Sequence, residues 1–221
     1  MTTVGFIGSG RIGGTVARLA VAAGYDVVVS NSRGPETLAD LVADLGPRAR
    51  AGTPAQAAAA GDLVVVSVPV RAYPDLATGE LAGTPVLDTG NYYPQRDGQL
   101  TELDDDSTTS SELLQRQLPK APVVKVFNNI FFKHLANLAR PTGAADRSAL
   151  PIAGDDPAAK AAVTAFLDAI GYDAVDAGAL GAGGRRFQPG TPAYGVPYGP
   201  FGDEHGTPAG AAGLRSALTA D

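Results

Sequence analysis

The sequence contains no cysteine in 221 residues. Disulfide bonds, thiolate-ligated metals and cysteine nucleophiles are therefore excluded. Histidine is almost as scarce, because only His134 and His205 are present and they lie far apart in the chain. A metal site built from several histidines is not visible either, and we expect no metal.

Basic residues are also few, since the sequence has 17 Lys and Arg against 23 Asp and Glu, which gives a net charge of -6. Nucleic acids and acidic membranes are bound by clustered cations, so neither is an expected partner. No apolar run reaches the ~18 residues of a membrane span, and the N-terminus does not resemble a signal peptide. These absences predict a cytoplasmic protein that acts on a small-molecule partner.

Short apolar runs alternate with helical segments along most of the chain, a pattern typical of a parallel sheet covered by helices. Capping boxes at Thr53 and Thr109, and the pair Asp156-Pro157, begin three of the helices. The predicted strands are residues 4–7, 26–30, 63–68, 84–88, 122–127, 150–153 and 172–175. We predict an α/β fold with a doubly wound, mostly parallel sheet and helices on both faces.

The composition changes near the C-terminus, which divides the chain into a domain of residues 1–180 and a segment of residues 181–221. This segment is a Gly/Pro-rich tail without periodicity up to Thr207-Pro208, where a terminal helix is expected to begin. A flexible tail is one interpretation, and an ordered lid or an arm exchanged between subunits is the other. The tail carries the aromatic residues Phe187, Tyr194, Tyr198 and Phe201. Because these are too apolar to leave in solvent, we predict a homodimer.

A glycine-rich turn follows the first predicted strand and opens the first helix: Gly8-Ser9-Gly10-Arg11-Ile12-Gly13. In this context the G-x-G-x-x-G pattern indicates a Rossmann-type dinucleotide-binding domain. Gly8 permits the tight turn, Gly10 lets a pyrophosphate approach the backbone, and Gly13 lets the helix pack on the strand. The helix N-terminus offers free amides and a positive dipole end, and Ser9 and Arg11 add side-chain donors.

The end of the second strand distinguishes NAD from NADP. NAD-binding proteins usually have an acidic residue there, ~20 residues past the glycines, which binds the ribose hydroxyls. This sequence has Asn31-Ser32-Arg33 instead. A carboxylate would repel a 2′-phosphate, whereas a hydroxyl and a guanidinium bind it. The sequence therefore predicts an NADP(H) site, with an ordinary surface turn as the alternative.

Polar residues follow two later strands at the same edge of the predicted sheet. Asn91 and Tyr92 follow the fourth strand, and Asn128 and Asn129 follow the fifth. Amides there suit contacts to a carboxamide or a substrate, although a solvated turn or a helix cap would also explain them. His134 lies on the next helix, where a structural role is the alternative to a catalytic one. The catalytic residues stay unknown, with Asn128, His134 and Tyr92 as candidates.

Several motifs carry a resemblance to a known family over roughly residues 3 to 180. They are the glycine turn with Ser9, Asn31–Thr37, Ser67-Val68-Pro69, Val124–Asn129, Ala153–Asp156 and Asp176–Gly178. With these motifs the sequence resembles the NADPH-dependent coenzyme F420 reductases, also called F420-dependent NADP oxidoreductases. The resemblance implies hydride transfer between NADP(H) and a deazaflavin, coenzyme F420, as co-substrate. It also implies that Ser32 and Arg33 bind the 2′-phosphate, that Val68 and Pro69 lie beside the cofactor, and that residues 127–130 border the nicotinamide pocket.

Two features differ from that family. Its deazaflavin-binding enzymes tend to carry a histidine where this sequence has Asn128, and they lack the aromatic tail. An NADPH-dependent reductase of a flavin or of a small carbonyl or imine compound is therefore an alternative, as is a non-catalytic NADP-sensing module. No residues visible in the sequence form a proton relay, so we expect a planar ring acceptor that stacks on the nicotinamide under Phe187, Tyr194 and Tyr198 of the tail. A cavity left open under the tail favours an enzyme, and a filled one favours a sensor.

Overall fold

The computed structural model describes residues 1–79 and 81–220; residue 221, the last of the predicted C-terminal segment, and residue 80 lie outside this description. Within these residues, eight strands form one sheet in the order β3-β2-β1-β4-β5-β6-β7-β8. The strands are β1 (Thr3–Ile7), β2 (Asp26–Ser30), β3 (Ala49–Ala51), β4 (Leu63–Val66), β5 (Val86–Asp88), β6 (Val123–Lys125), β7 (Ala149–Gly154) and β8 (Asp173–Asp176). All neighbouring strands are parallel except β6 and β7. The predicted doubly wound, mostly parallel α/β architecture is confirmed.

Helices connect the strands and cover the sheet. They are α1 (Arg11–Ala22), α2 (Ala39–Leu45), α3 (Pro54–Ala60), α4 (Pro94–Asp97), α5 (Thr101–Asp104), α6 (Ser110–Gln117), α7 (Phe132–Asn137), α8 (Pro157–Ala169), α9 (Leu180–Arg185) and α10 (Ala211–Thr219), with 3-10 turns at Pro35–Leu38, Val70–Asp75 and Val196–Tyr198. Both predicted capping boxes form, at Thr53 and Thr109, and the Asp156 side chain caps α8. In the described part of the chain, none of the helices has the length and apolarity needed to cross a bilayer.

The sheet separates two apolar clusters because successive side chains of a strand point to opposite faces. Phe6 and Val65 pack in one cluster, whereas Ile7, Val64 and Val66 pack in the other. Strand β1 pairs with β2 on one side and with β4 on the other. The chain order reverses at this point, so a crevice opens beyond the carboxyl ends of these strands, where such sheets bind ligands.

Several elements differ from the prediction. Strand β3 was not predicted, because Ala49-Arg50-Ala51 is an edge strand without the β-branched residues that indicate a strand. A 3-10 turn at Pro35–Leu38 precedes α2. Helix α10 begins at Ala211 rather than at Thr207, because the backbone before it is held by the sheet: the N–H of Ala149 donates to the carbonyl of Ala209 at 2.8 Å.

The tail is packed on the sheet of its own chain. Phe187 and Tyr198 are fully buried, and the Tyr198 hydroxyl donates to the carbonyl of Ala149 at 2.8 Å. Leu214 and Leu218 of α10 lie in the same small core as Phe187. The tail is therefore an ordered part of the structure, and its packing explains how a stretch without periodicity acquires a fixed course.

Candidate functional site

The glycine turn between β1 and α1 is shaped by contacts that leave no room for side chains at two positions. Gly8 has a φ of +96°, and a Cβ atom there would lie 2.3 Å from the carbonyl oxygen of Ser67. A Cβ atom at Gly13 would lie 2.2 Å from the carbonyl oxygen of Gly8. At Gly10, by contrast, a Cβ atom would meet no atom within 4 Å. The turn is thus tight against β4 and open at Gly10, on the side where a pyrophosphate would approach.

The N-terminus of α1 is free to bind an anion. Its N-cap, Gly10, provides no side-chain hydrogen bond, and its first turn contains no acidic residue. The first amides of a helix have no intrahelical partner, and the helix dipole favours negative charge beside them. A diphosphate bound at Gly10 would accept hydrogen bonds from the free amides and lie at the positive end of the helix dipole.

The loop after β2 is organised by Asn31. Its Oδ1 accepts from the N–H groups of Arg33 at 2.9 Å and Gly34 at 3.0 Å, and its Nδ2 donates to the hydroxyl of Thr37 at 2.9 Å. Ser32 and Arg33 project as exposed residues. Among the described residues, the Arg33 guanidinium has no hydrogen bond or ion pair, so the loop presents an uncompensated cation.

The turn and the loop border one groove with a volume of about 750 Å³. Arg11, Arg18 and Arg33 supply cations to it, although Arg18 is paired with Asp44 at 2.7 Å outside the groove. Asp40 supplies a carboxylate, which no motif in the sequence indicates. Val68 and Pro69 line the same groove, next to the turn. The open cradle at Gly10 and the free Arg33 fit a dinucleotide that carries an additional phosphate.

A second cavity of about 480 Å³ adjoins this groove. Arg11 and Phe132 line both spaces, and the Arg11 guanidinium lies 5.2 Å from the centroid of the Phe132 ring. The cavity is mainly aromatic, and its lining includes Tyr93, Phe127, Phe131, Phe132, Tyr194 and Phe201. Within the described residues its lining includes no carboxylate. A space lined by so many aromatic rings suits a planar ring.

Asn91 and Asn128, predicted at this edge of the sheet, do meet in the cavity wall. The Nδ2 of Asn91 donates to the carbonyl of Asn128 at 2.7 Å, and the Nδ2 of Asn128 donates to Asn91 Oδ1 at 3.1 Å and to the carbonyl of Phe187 at 2.9 Å. These bonds leave the buried Oδ1 of Asn128 without a partner. Phe127, immediately before it, has a φ of +64°, a strained backbone conformation for a bulky residue. The backbone after β6 is thus held in an energetically unfavourable conformation at Phe127, and the side-chain oxygen of Asn128 has no hydrogen-bond donor within the residues that the structure describes.

Two tyrosines meet at the cavity wall. The hydroxyls of Tyr93 and Tyr194 lie 2.5 Å apart, and the guanidinium of Arg96 lies 5.0 Å from the centroid of the Tyr93 ring. Burial raises the pKa of Tyr194, and the hydrogen bond with Tyr93 raises it further. The pair could not be predicted from the sequence, because the two residues are 101 positions apart and no motif joins them.

The other candidate residues lie away from the cavity wall. The Tyr92 hydroxyl donates to Asp104 at 2.7 Å. His134 is completely buried beside Phe131, and its Nε2 is hydrogen bonded to the carbonyl of Asp203 at 2.5 Å. Asn129 donates to the carbonyl of Ala193 at 2.9 Å. His134 and Asn129 therefore hold the tail in place.

Of the three tail residues expected to cover the acceptor, Tyr194 lines the cavity and the other two do not. Tyr194 and Phe201 line it, and the Phe201 ring packs against Phe131 at a centroid distance of 5.7 Å. Phe187 and Tyr198, which were expected to cover the acceptor, are buried in the core instead. The tail closes one side of the cavity without filling it.

The fold, the glycine turn and the groove define a Rossmann-type dinucleotide-binding protein. Residues 3–92 match the model of the family described as NADP oxidoreductase, coenzyme F420-dependent. The chain belongs to this family. It is therefore an NADP-dependent oxidoreductase, and the resemblance inferred from its motifs is confirmed.

Solved structures extend the likeness beyond the matched residues. A hypothetical protein from Sinorhizobium meliloti is 30% identical, with a TM-score of 0.75 over 86% of this chain and 91% of that chain. A protein from Arthrobacter sp. FB24, with a proposed activity as an F420-dependent NADP reductase, is 27% identical, with a TM-score of 0.68 over 81% of this chain and 85% of that one. The reductive aminase from Aspergillus terreus shares the fold alone, at 19% identity and a TM-score of 0.56 over 83% of this chain and 56% of that one. A search of curated proteins finds no match.

Proposed function

We propose that the protein transfers a hydride between NADP(H) in the groove and a planar deazaflavin acceptor of the coenzyme F420 type in the aromatic cavity. The observation that carries this proposal is the common wall of Arg11 and Phe132. A dinucleotide that extends from the glycine turn past Val68 and Pro69 would bring its nicotinamide to this wall. An acceptor in the cavity would then lie directly beside it.

The residues have separate tasks in this proposal. The backbone of Gly8-Ser9-Gly10-Arg11-Ile12-Gly13 holds the diphosphate, with Ser9 and Arg11 as side-chain donors. Ser32 and Arg33 bind the 2′-phosphate on the loop that Asn31 shapes. Val68 and Pro69 pack against the nicotinamide end, and Asn91 and Asn128, which bind each other in the cavity wall, are the side-chain amides that suit its carboxamide.

NADPH supplies the hydride, and the protein brings the two rings together and excludes water. Positioning two reactants for direct transfer removes much of the entropic barrier, ~7–11 kcal/mol in favourable cases. An acceptor ring bound among the aromatic side chains and beneath Tyr194 and Phe201 would displace water from the place where the hydride is transferred. A cavity that stays open under the tail supports an enzyme rather than a sensor.

A second candidate acceptor is a flavin or a small carbonyl or imine compound. The observation that favours this alternative is the pair of hydroxyls of Tyr93 and Tyr194 in the cavity wall, because a C=O or C=N bond must be protonated as it is reduced. Asn128, at the position where deazaflavin-binding members tend to carry histidine, is a further reason to test it.

The acceptor is tested by mixing NADPH-loaded protein anaerobically with F420, with FMN and with a panel of simple carbonyl and imine compounds. We expect the fastest NADPH oxidation with F420, measured as the loss of the deazaflavin's visible absorbance. Gly10→Val protein serves as the control, because it should keep the cavity and lose the donor site. Oxidation of NADPH by an imine or carbonyl compound, with neither F420 nor FMN reduced, would show that the ring acceptor is wrong.

A further inference from the structure

The Tyr93–Tyr194 pair connects two distant segments at the edge of the cavity. Tyr93 precedes helix α4, and Tyr194 belongs to the tail. Their hydroxyls share a hydrogen bond of 2.5 Å, and the Nδ2 of Asn91 lies 3.4 Å from the Tyr194 hydroxyl. Both rings line the aromatic cavity. Two half-buried hydroxyls are thus placed where an acceptor would bind.

Two guanidinium groups lie close to the Tyr93 ring. Arg96 stacks on the Tyr93 ring, and Arg11 lies in the same cavity wall. Asp97 binds Arg96 at 2.8 Å and accepts from the backbone N–H of Tyr93 at 3.1 Å. Burial alone would raise the pKa of Asp97, but these hydrogen bonds outweigh it and leave the pKa lowered. Arg96 therefore contacts both the Asp97 carboxylate and the Tyr93 ring.

We propose that Tyr93 is the acid that protonates the acceptor, and that Tyr194 and Arg96 are the positioning residues that hold Tyr93 and stabilise it after the proton has left. The proposal rests on the proposed function, because it requires hydride transfer in the cavity. It also specifies the substrate class: an acceptor that takes up one hydride and one proton, which includes deazaflavins, flavins, imines and carbonyl compounds.

The step balances in atoms and electrons. The hydride brings an electron pair and one hydrogen to the acceptor, and in the same step the acceptor's basic nitrogen or oxygen forms a bond to the proton of the Tyr93 hydroxyl. The O–H bond of Tyr93 breaks, and its electron pair remains on the phenolate oxygen. Tyr194 donates its hydrogen bond to that phenolate, since its raised pKa keeps its own hydroxyl protonated. A proton from solvent restores Tyr93, so each NADPH oxidised consumes one proton overall.

The alternative is that the pair only fastens the tail to the loop after β5. If the pair only holds the tail, loss of its hydrogen bond would lower the stability and the acceptor affinity. If Tyr93 is an acid, its loss would change how the rate depends on pH. The tests are therefore Tyr93→Phe and Tyr194→Phe, with Tyr25→Phe as the matched control. The Tyr25 ring packs edge-on against Phe166 at 5.4 Å and lines neither the groove nor the cavity.

Stopped-flow measurements with F420 and with FMN should be made from pH 6 to pH 9, beside NADPH titrations of each variant. We expect Tyr93→Phe to bind NADPH as the wild type does and to lose ~100-fold or more in kcat, the usual contribution of a positioned acid. Its rate should fall about tenfold per pH unit because solvent hydronium must replace the acid, while the wild-type rate changes little because phenols remain protonated below about pH 10. We expect a smaller loss for Tyr194→Phe and none for Tyr25→Phe.

A readout that does not depend on turnover is ¹³Cζ-tyrosine NMR of the ligand-free protein. The Tyr194 signal should remain that of a neutral phenol at a pH where an exposed tyrosine ionises, about 10. In Tyr93→Phe it should ionise at a lower pH than in the wild type, because one cause of its raised pKa is removed. Circular dichroism of each variant shows that it is folded.

The outcomes separate the two proposals. If the wild type reduces the acceptor and Tyr93→Phe has the same rate or the same pH profile, the acid role is wrong and the proposed function stands. A wild-type protein that binds NADPH but reduces no acceptor overturns the proposed function, and the acid role with it. If Tyr93→Phe does not fold, a wild-type rate that is the same in H₂O and D₂O, measured while hydride transfer limits turnover, overturns the acid role without any variant.

Discussion

Gly8 and Gly10 lie two residues apart in the turn, and a side chain has different consequences at each. At Gly8 the positive φ and the carbonyl of Ser67 oppose any side chain, so substitution there should destabilise the fold. At Gly10 the backbone is extended and the space is open. We predict that Gly10→Val folds normally and loses detectable NADPH binding, because the valine would fill the place of the pyrophosphate. Thermal melting and fluorescence titration check the two halves of this prediction, and normal NADPH affinity in a folded variant would exclude the turn as the site.

Arg33 is the residue that should set the cofactor preference. We predict that the wild type binds NADPH at least tenfold more tightly than NADH, a difference of ~1.4 kcal/mol. Arg33→Glu should erase or reverse this preference, because a carboxylate repels the 2′-phosphate. Arg50→Glu on the edge strand makes the same change in net charge outside the groove and should leave the preference intact. Calorimetric titration with both nucleotides measures it, and equal dissociation constants for the wild type would refute the assignment.

At the site, the sequence predicted mainly those residues that lie near each other in the chain. The glycine turn and the Asn31-Ser32-Arg33 loop are short motifs with a local physical meaning, and the structure brings both to one groove. Asn91 and Asn128 were also anticipated, because carboxyl ends of parallel strands share an edge. The Tyr93–Tyr194 bond and the contact of Phe131 with Phe201 depend on how the tail folds back, which no local pattern records.

At the scale of elements, the tail segment of residues 194–204 covers the cavity. Its ends are held by the N–H of Gly195, which donates to the carbonyl of Asn129 at 2.8 Å, and by the ion pair of Lys133 with Glu204. Deleting everything after Gly181 would not test this cover cleanly, because it would also remove the buried residues Phe187, Tyr198, Leu214 and Leu218 from the core.

Phe201 offers a cleaner test, since it is 53% exposed and lines the cavity. We predict that Phe201→Ala keeps NADPH affinity within a few-fold and raises the KM for the acceptor about tenfold, as expected for the loss of an aromatic contact of ~1–1.5 kcal/mol. Val196→Ala, at an exposed position of the same segment that does not line the cavity, is the control. Steady-state kinetics with F420 would contradict the assignment if the KM of Phe201→Ala matched that of the wild type.

At the scale of the whole molecule, the alternation of apolar runs and helices predicted the architecture correctly. It did not predict the edge strand β3, which is built from alanine and arginine, or the path of the tail, because the sequence signals there are weak. The tail's residues are ordered by the surface they cover rather than by their own periodicity. Such packing is a property of the assembled sheet, so composition could suggest order but not the path.

The homodimer stays a prediction. Its original basis was the apolar tail, yet Phe187 and Tyr198 are buried within their own chain, which leaves Val196 and Phe201 as the exposed part. We expect a dimer by light scattering, and a monomer after Val196→Ser and Phe201→Ser are combined, because the apolar surface left to a second copy is removed. A wild-type monomer at working concentration would refute the prediction.

The wall that Arg11 and Phe132 share between groove and cavity also bears on the order of events in turnover. Since donor and acceptor would occupy adjoining spaces at the same time, the reaction needs a ternary complex and no reduced enzyme form that outlives the departure of the first product. Double-reciprocal plots at several fixed acceptor concentrations should therefore intersect rather than run parallel. The hydride should also leave from a single face of the nicotinamide, because the opposite face would rest on Val68 and Pro69.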